Sequence, residues 1–478
     1  KNTATQSFDT DDRIKRSLVG VFGELQLGYR NLAYLNLGGR NDWSSTLPIE
    51  NRSYFYPSVS GSLIVSELIP SNFLSYAKVR AGWAKVGNDA PPYRTQDVFI
   101  LDQNFKGAPR ITRSLNTNDP NLSPEFTTEL ELGADVKFWK DRFSIDFTWY
   151  DKKTTDLIYN ISVPNSTGFN TFTTNVGEIS NKGVEIGVNA IPLLTKDFEW
   201  NIGINFTKNK NLVVSLVEGV DRVQLSGVLT GISPFLEPGL PFGYLRGTKV
   251  VRDAEGVPLI NPNTGGMIVS TTQGMIGDPN PDFKMGVTTE IKYKNLFLNG
   301  LFDMTKGGDI YSVSIATLLG RGVTKDTEDR EHGVILPGNY ANPASLQSGL
   351  PLLVDGKTVV NQIPITMNDL YFSPNANFGA TYGINTATEL NIYDGTVYRL
   401  REVTLGYNIP SAFFGIKYFK GGTLSVSGRN LFFIAPNFPK HTNFDPEVNS
   451  FGATTTQGIE LSAAPSTKRY AVNLSINF

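Results

Sequence analysis

This chain contains no cysteine and only two histidines. The first absence excludes disulfides and thiolate metal sites. The second leaves little for histidine chemistry, because a catalytic or metal centre needs partners converging in space, and His332 and His441 stand far apart with no second histidine near either. Long apolar runs are also missing. Nowhere do about 18 consecutive apolar residues follow one another, so transmembrane helices are excluded. Charge of one sign is lacking too: 43 basic and 45 acidic residues leave a net −2, and without a basic face a nucleic-acid partner is not expected. The opening KNTATQSFDTDD has no charged-then-apolar leader. No GxSxG in a strand–turn–helix context and no Walker-type glycine loop appears, so neither an enzyme nor a bound cofactor is expected.

What the chain does have is 30 Phe, 19 Tyr, 46 Gly and a persistent two-residue alternation. It is clearest in the last residues, TKRYAVNLSINF: Tyr470, Val472, Leu474, Ile476 and Phe478 alternate with Arg469, Ala471, Asn473, Ser475 and Asn477. Successive strand side chains point to opposite faces, so one face is apolar and the other polar. Repeated in segments of roughly ten or more residues, this is the signature of a membrane-spanning β-barrel, the one non-helical way to cross a bilayer. Thirteen strands are expected. Six hairpins pair Ser17–Tyr29 with Leu32–Asn41, Tyr54–Glu67 with Leu74–Gly87, Glu125–Trp139 with Arg142–Tyr159, Val176–Ile191 with Phe198–Lys208, Pro281–Lys294 with Leu296–Tyr311, and Gly395–Ile409 with Gly422–Ile434. Lys468–Phe478 stands last. Leu32–Asn41 reads equally well in either register. An Arg or Lys facing lipid at the midplane costs about 2–4 kcal/mol. The alternation therefore sends Leu132, Val136, Ile145, Phe147, Val472 and Leu474 to lipid, and Glu129, Glu131, Asp135, Asp146 and Asn473 to a wet or plugged lumen.

Connections alternate between very short and very long. The long ones run through about 43–53, 88–124, 160–175, 209–280, 312–394 and 435–467, as expected for extracellular loops facing short periplasmic turns. The parity places an odd number of strands ahead of the first one here. The expectation is a C-terminal part of a larger barrel, residues 17–478, entered through a polar segment, 1–16.

Other features have plain readings. The acidic runs Asp9–Asp12 and Asp326–Glu331 lack EF-hand glycine spacing and read as solvated surface. Tyr54, Phe55, Tyr56 and Trp83 fit an interfacial aromatic girdle. Gly-Gly pairs at 38–39, 265–266, 307–308 and 421–422 read as bulges or turns.

Five ordered stretches carry a family resemblance: GGRNDWSSTLPIENRSYFYPSVSGSLIVSE (38–67), KVRAGWAKVGNDAPPY (78–93), YNISVPNSTGFNTFTTNVGEISNKGVEIGVNA (159–190), YRLREVTLGYNIP (398–410) and SGRNLFFIAPNFPKHTNFDPEVN (427–449). With these the chain resembles SusC/RagA-type TonB-dependent outer-membrane transporters. The resemblance implies a plugged barrel of about 22 strands, of which roughly nine would precede this sequence. It also implies a plug and a TonB-contacting segment ahead of it, and a SusD-like surface lipoprotein as a lid. The cargo would be an oligosaccharide or peptide driven inward across the bacterial outer membrane. Phe478 would be the terminal aromatic read by the assembly machinery. Ligand or lid contacts are then expected from the two longest loops, at Phe235, Phe242 and Tyr244 in one and Tyr340, Tyr371 and Phe372 in the other. A passive channel or a surface-adhesion barrel is the alternative.

Overall fold

The computed structural model describes residues 14–478 except 70, 106–107, 226, 228, 230, 373–386, 413–417, 449 and 452–454. The run Asp9–Asp12 and most of the polar segment 1–16 lie outside the described residues. One antiparallel sheet of 13 strands, paired strictly in chain order, organises the molecule. Its strands are β1 (Leu18–Tyr29), β2 (Ala33–Ser44), β3 (Ser53–Ile64), β4 (Leu74–Asn88), β5 (Glu125–Phe138), β6 (Phe143–Thr155) and β7 (Gly177–Leu194). They continue with β8 (Phe198–Leu216), β9 (Pro281–Tyr293), β10 (Leu296–Gly307), β11 (Val397–Ile409), β12 (Gly421–Ile434) and β13 (Arg469–Asn477). β1 and β13 are its two edges.

The two faces separate as the alternation requires. One apolar row runs across six strands through the paired residues Trp200, Ile291, Leu298, Leu405, Val426 and Val472. Leu132, Trp149 and Val184 form another, and Val136, Ile145 and Val188 a third. The next row over, Asn201, Glu290, Asn299, Thr404 and Ser427, is polar throughout. Along these rows Leu132, Leu298, Leu405 and Val426 are exposed, at 37–55%, while Trp200, Ile291, Val136 and Ile145 are half-buried, and an apolar band of that extent is a surface for a non-aqueous neighbour. The register of β2, open in the sequence, is set by its neighbours: Leu37 pairs with Leu25 and Val59, and Leu35 with Leu27.

Short turns close one end. Arg30 and Asn31 sit at φ 49° and 54°, Trp139, Lys140 and Asp141 at 50–65°, and Lys294 at 52°, the left-handed conformations that tight hairpins need. At the other end three boundaries differ from expectation. β8 runs on to Leu216, so the connection written as 209–280 begins at 217. The polar quartet Lys208–Asn211 ends the lipid-versus-lumen alternation, yet pairing with β7 continues to Gly177 opposite Leu216; strands that outrun the bilayer lose the dyad signal but not the ladder. The strand expected over Leu296–Tyr311 breaks at Gly307 and Gly308, whose φ of 70° and 83° strain any other residue. Asp309–Ser312 then joins a separate small sheet. The strand expected over Arg142–Tyr159 likewise stops at Thr155, and Ile158–Ser162 pairs within the loop layer.

The packed core lies in the long loops, because neither barrel face is enclosed. Loops 217–280, 308–396 and 435–468 share a cluster of Ile232, Leu245, Tyr311, Val313 and Ile459. These loops build small sheets and a short helix, α1 (Val313–Gly320). Ser312 caps α1, accepting from Ile315 N at 3.2 Å.

Candidate functional site: a polar wall and its loop latch

Among the ionic clusters of the polar face, two are centred on arginines. In the first, Arg80 of β4 donates to Asp135 at 2.7 Å and Asp146 at 3.3 Å, with Glu131 at 3.6 Å, while Lys78 holds the other Asp135 oxygen at 2.7 Å. Three acidic residues assigned to the lumen are thus gathered around one guanidinium. Cross-strand register does this: Lys78 lies opposite Asp135, and Asp135 opposite Asp146.

The second cluster joins the wall to a loop. Residue 401 is an extra residue in β11 relative to β10, falling between the pairs Phe302–Leu400 and Leu301–Glu402. A bulge re-aims side chains, and here Arg401 reaches the same Asp303 of β10 that lies opposite Arg399. From loop 435–468, Asp445 accepts two bonds from Arg399, at 2.9 and 2.6 Å. Glu447 accepts from Arg401 Nη1 at 2.7 Å and again from Nη2. An Asx-type turn, Glu447 N to Asp445 Oδ1 at 3.0 Å, spaces the two carboxylates. Burial alone would raise the Asp445 pKa, but the Arg399 guanidinium and neighbouring donors hold it below its ordinary 3.8. Both halves of this latch lie in stretches that carried the family resemblance, YRLREV and NFDPEVN. Its pairing across 46 residues has no local sequence signal.

A recess of about 690 Å³ opens on the wall between Asp146, Glu185, Asn205, Lys284, Asp303 and Arg401. A second, of about 410 Å³, lies on the loop side between Gly308, Gly395, Val397, Gln457 and Glu460. They meet at Lys284, Asp303, Thr305, Arg401 and Glu447.

Of the aromatics expected to touch ligand or lid, Tyr244 is enclosed, and Phe235, Phe242, Tyr340, Tyr371 and Phe372 are half-buried among loop residues. Tyr244 is fully enclosed, its hydroxyl bonded to Glu237 and pushed up to about 12 chiefly by burial, so its ring presents no surface to a ligand. Phe235 packs against Tyr244 at 6.3 Å, and Phe242 against Val213, Val223 and Leu236. The Tyr340 hydroxyl accepts from Gln362 N at 2.9 Å. Tyr371 packs beside Leu370 and Phe438, and Phe372 lies under the Arg330 guanidinium at 4.7 Å. Phe478 is 79% exposed beyond the end of β13. Among the described residues no group of three or more His, Cys, Asp or Glu is placed to hold a metal ion. Asp326, from the second acidic run, accepts from the backbone of His441 at 3.2 Å and ties two loops together.

Comparison with known proteins gives the fold its relatives. A TonB-dependent receptor of Formosa agariphila is 27% identical over 96% of this chain and 45% of its own length. TonB-dependent receptor SusC of Bacteroides thetaiotaomicron is 26% identical over 97% of this chain and 44% of its own length. The chain therefore spans about half the length of the curated relatives it matches. Among solved structures it is similar to the RagAB peptide transporter, at a TM-score of 0.71 and 18% identity over 97% of this chain and 48% of that one; this likeness is one of fold. The family model "TonB dependent receptor-like, beta-barrel" matches residues 1–305, and the chain belongs to that family.

Proposed function

We propose that this chain forms the C-terminal part of an outer-membrane importer that takes up oligosaccharides or peptides together with a SusD-like surface lipoprotein. In this reading residues 17–478 are barrel and loops, TonB engages a region outside this sequence, and the apolar face meets lipid. The single observation that carries it is the loop layer. Three loops far apart in the chain fold into one packed body over a charged, recessed wall. A passive pore needs only short connections. The family and the SusC relative favour nutrient import; the likeness to the RagAB peptide transporter adds peptide as one cargo class. The surface of the loop layer, rather than the enclosed Tyr244, would supply the ligand and lid contacts, with Tyr340, Tyr371 and Phe372 supporting it from beneath.

The test is removal of 219–278 and 310–393 together in the full-length gene. Growth on the native nutrient and co-purification of a surface lipoprotein should both be lost while the barrel still folds. If both survive, a plain channel is the better account.

A further inference from the structure

Glu447 sits where an external carboxylate would sit. Three guanidinium donors converge on it: Arg401 Nη1 at 2.7 Å, Arg401 Nη2, and Arg399 Nη1 at 3.1 Å. A planar fork of this kind matches a carboxylate in two-point contact. The two arginine–carboxylate pairs of the latch are not equivalent. Arg399 and Asp445 are enclosed, their side chains 2% and 4% exposed, whereas Arg401 and Glu447 are 31% and 49% exposed. The enclosed pair is one pin holding loop 435–468. Glu460 is a second, accepting from the Ser312 and Ser314 hydroxyls at 2.7 Å each. Stacking of Phe438 on Phe444 and Tyr393, at 5.2 and 5.3 Å, is a third. With those contacts in place the Glu447 side chain can swing away without the loop leaving the wall. It also stands where the loop-side recess meets the wall recess, so a ligand passing from one to the other meets it.

We propose that Arg401, with Arg399 Nη1, forms a subsite for a ligand carboxylate, and that Glu447 fills it as an internal stand-in until the ligand displaces it. Exchange of one carboxylate for another leaves the local charge unchanged, so neither arginine is left buried and unpaired during the swap. Asp303 keeps its bond to Arg401 Nε and holds the fork in place. The ligand chemistry is a carboxylate, carried by an acidic sugar or by a peptide C-terminus. This rests on the importer reading, and it names which group on the cargo is recognised at this point.

The experiment is calorimetric binding to the full-length receptor purified in detergent. Trigalacturonate and triglycine are the carboxylate probes; maltotriose and triglycine amide are their neutral counterparts. Glu447→Gln removes the competitor, and a charge-assisted hydrogen bond is worth about 1.5–3 kcal/mol. At least one carboxylate probe should therefore gain about tenfold or more in affinity, with its neutral counterpart unchanged. Which probe gains identifies the source of the carboxylate. A second measurement does not depend on that variant: the unaltered receptor should bind the same acid more tightly than its neutral counterpart, and Arg401→Gln should erase the difference. Equal gains for acid and neutral probes, no gain for either acid, or no discrimination by the unaltered receptor overturns the proposal. Binding in detergent needs no energy coupling. A receptor that discriminates yet supports no growth would refute import alone, and one that imports without discriminating would refute the subsite alone.

Discussion

Arg399 and Asp445 face each other in parallel, Nη1 to Oδ2 at 2.9 Å and Nη2 to Oδ1 at 2.6 Å, with both side chains almost wholly enclosed. One residue belongs to the barrel wall and the other to the last long loop, so this pair ties that loop to the wall. Asp445 also receives Glu447 N at 3.0 Å, which places the exposed carboxylate on Arg401. The buried pair thereby orders the accessible one.

Replacing Arg399 with Met should loosen loop 435–468 around Asp445. Removing one partner of a buried ion pair costs about 3–5 kcal/mol, because the other charge is left unpaired. Hydrogen exchange should show lost protection across 436–448 with β11 and β12 still protected. The double variant Arg399→Met with Asp445→Leu should recover most of the loss; a double variant as open as the single one would contradict the pairing argument.

The same pair sets a pH dependence for the loop. The Asp445 pKa is lower in the folded state than its ordinary 3.8, so the unfolded loop binds the proton more readily. Its contribution is fully present above about pH 4 and is lost as pH falls below that, through the depressed folded value. Loop protection should be flat from pH 7 to about 5 and decline in strong acid. Asp445→Asn should remove this component of the acid response.

Face assignment has a direct probe. Spin labels at Leu132, Val136, Ile145, Phe147, Val472 and Leu474 should be quenched by a lipid-soluble reagent. Those at Glu129, Glu131, Asp135, Asp146 and Asn473 should respond to a water-soluble one. Leu132→Arg should cost about 2–4 kcal/mol in a refolding titration from lipid vesicles. A reversed pattern on β5 would remove the basis for the barrel assignment.

Loops 217–280 and 308–396 should lose order together. Leu259–Ile260 pairs with Asn339–Tyr340, Thr248 N donates to Thr388 Oγ1 at 2.7 Å, and Arg252 meets Glu389 at 2.6 Å. Replacing 334–366 with a short linker should therefore raise exchange at 251–268, whose core residues Val251, Leu259 and Ile268 pack on Ala341. Unchanged protection there would show that the loops are independent.

Phe478 should matter to assembly and not to the finished barrel. It is 79% exposed, and surface substitutions commonly change stability by within about 0.5 kcal/mol. Deleting it should cut the amount of barrel reaching the membrane while leaving the heat resistance of the assembled fraction unchanged. Normal amounts after deletion would rule the signal out.

The strands were legible because their signal is local. Alternation in β5, β6 and β13 reports two different solvents on two faces, and the short turns lie within a few residues of what they join. Legibility failed at Lys208–Asn211, where both faces are polar and pairing persists. It failed again at Gly307–Gly308, where the strand expected over Leu296–Tyr311 ends at a backbone of positive φ. The loop aromatics were visible as candidates, but the enclosure of Tyr244 was not, since Phe235 and Tyr244 look alike in sequence whether they line a surface or fill a core.

By itself, then, the sequence determined the number of strands in the large sheet, their pairing within six hairpins and, for most of them, which face is apolar. These follow from a two-residue period and, within each hairpin, from a turn too short to allow any other neighbour. Only the tertiary structure decided how the long loops join, that Tyr244 is sealed inside them, and that Asp445 and Glu447 come to Arg399 and Arg401. Those contacts span tens of residues with no repeating spacing, and they form because charge and apolar surface in the loops must find partners that only the assembled wall and its neighbouring loops supply.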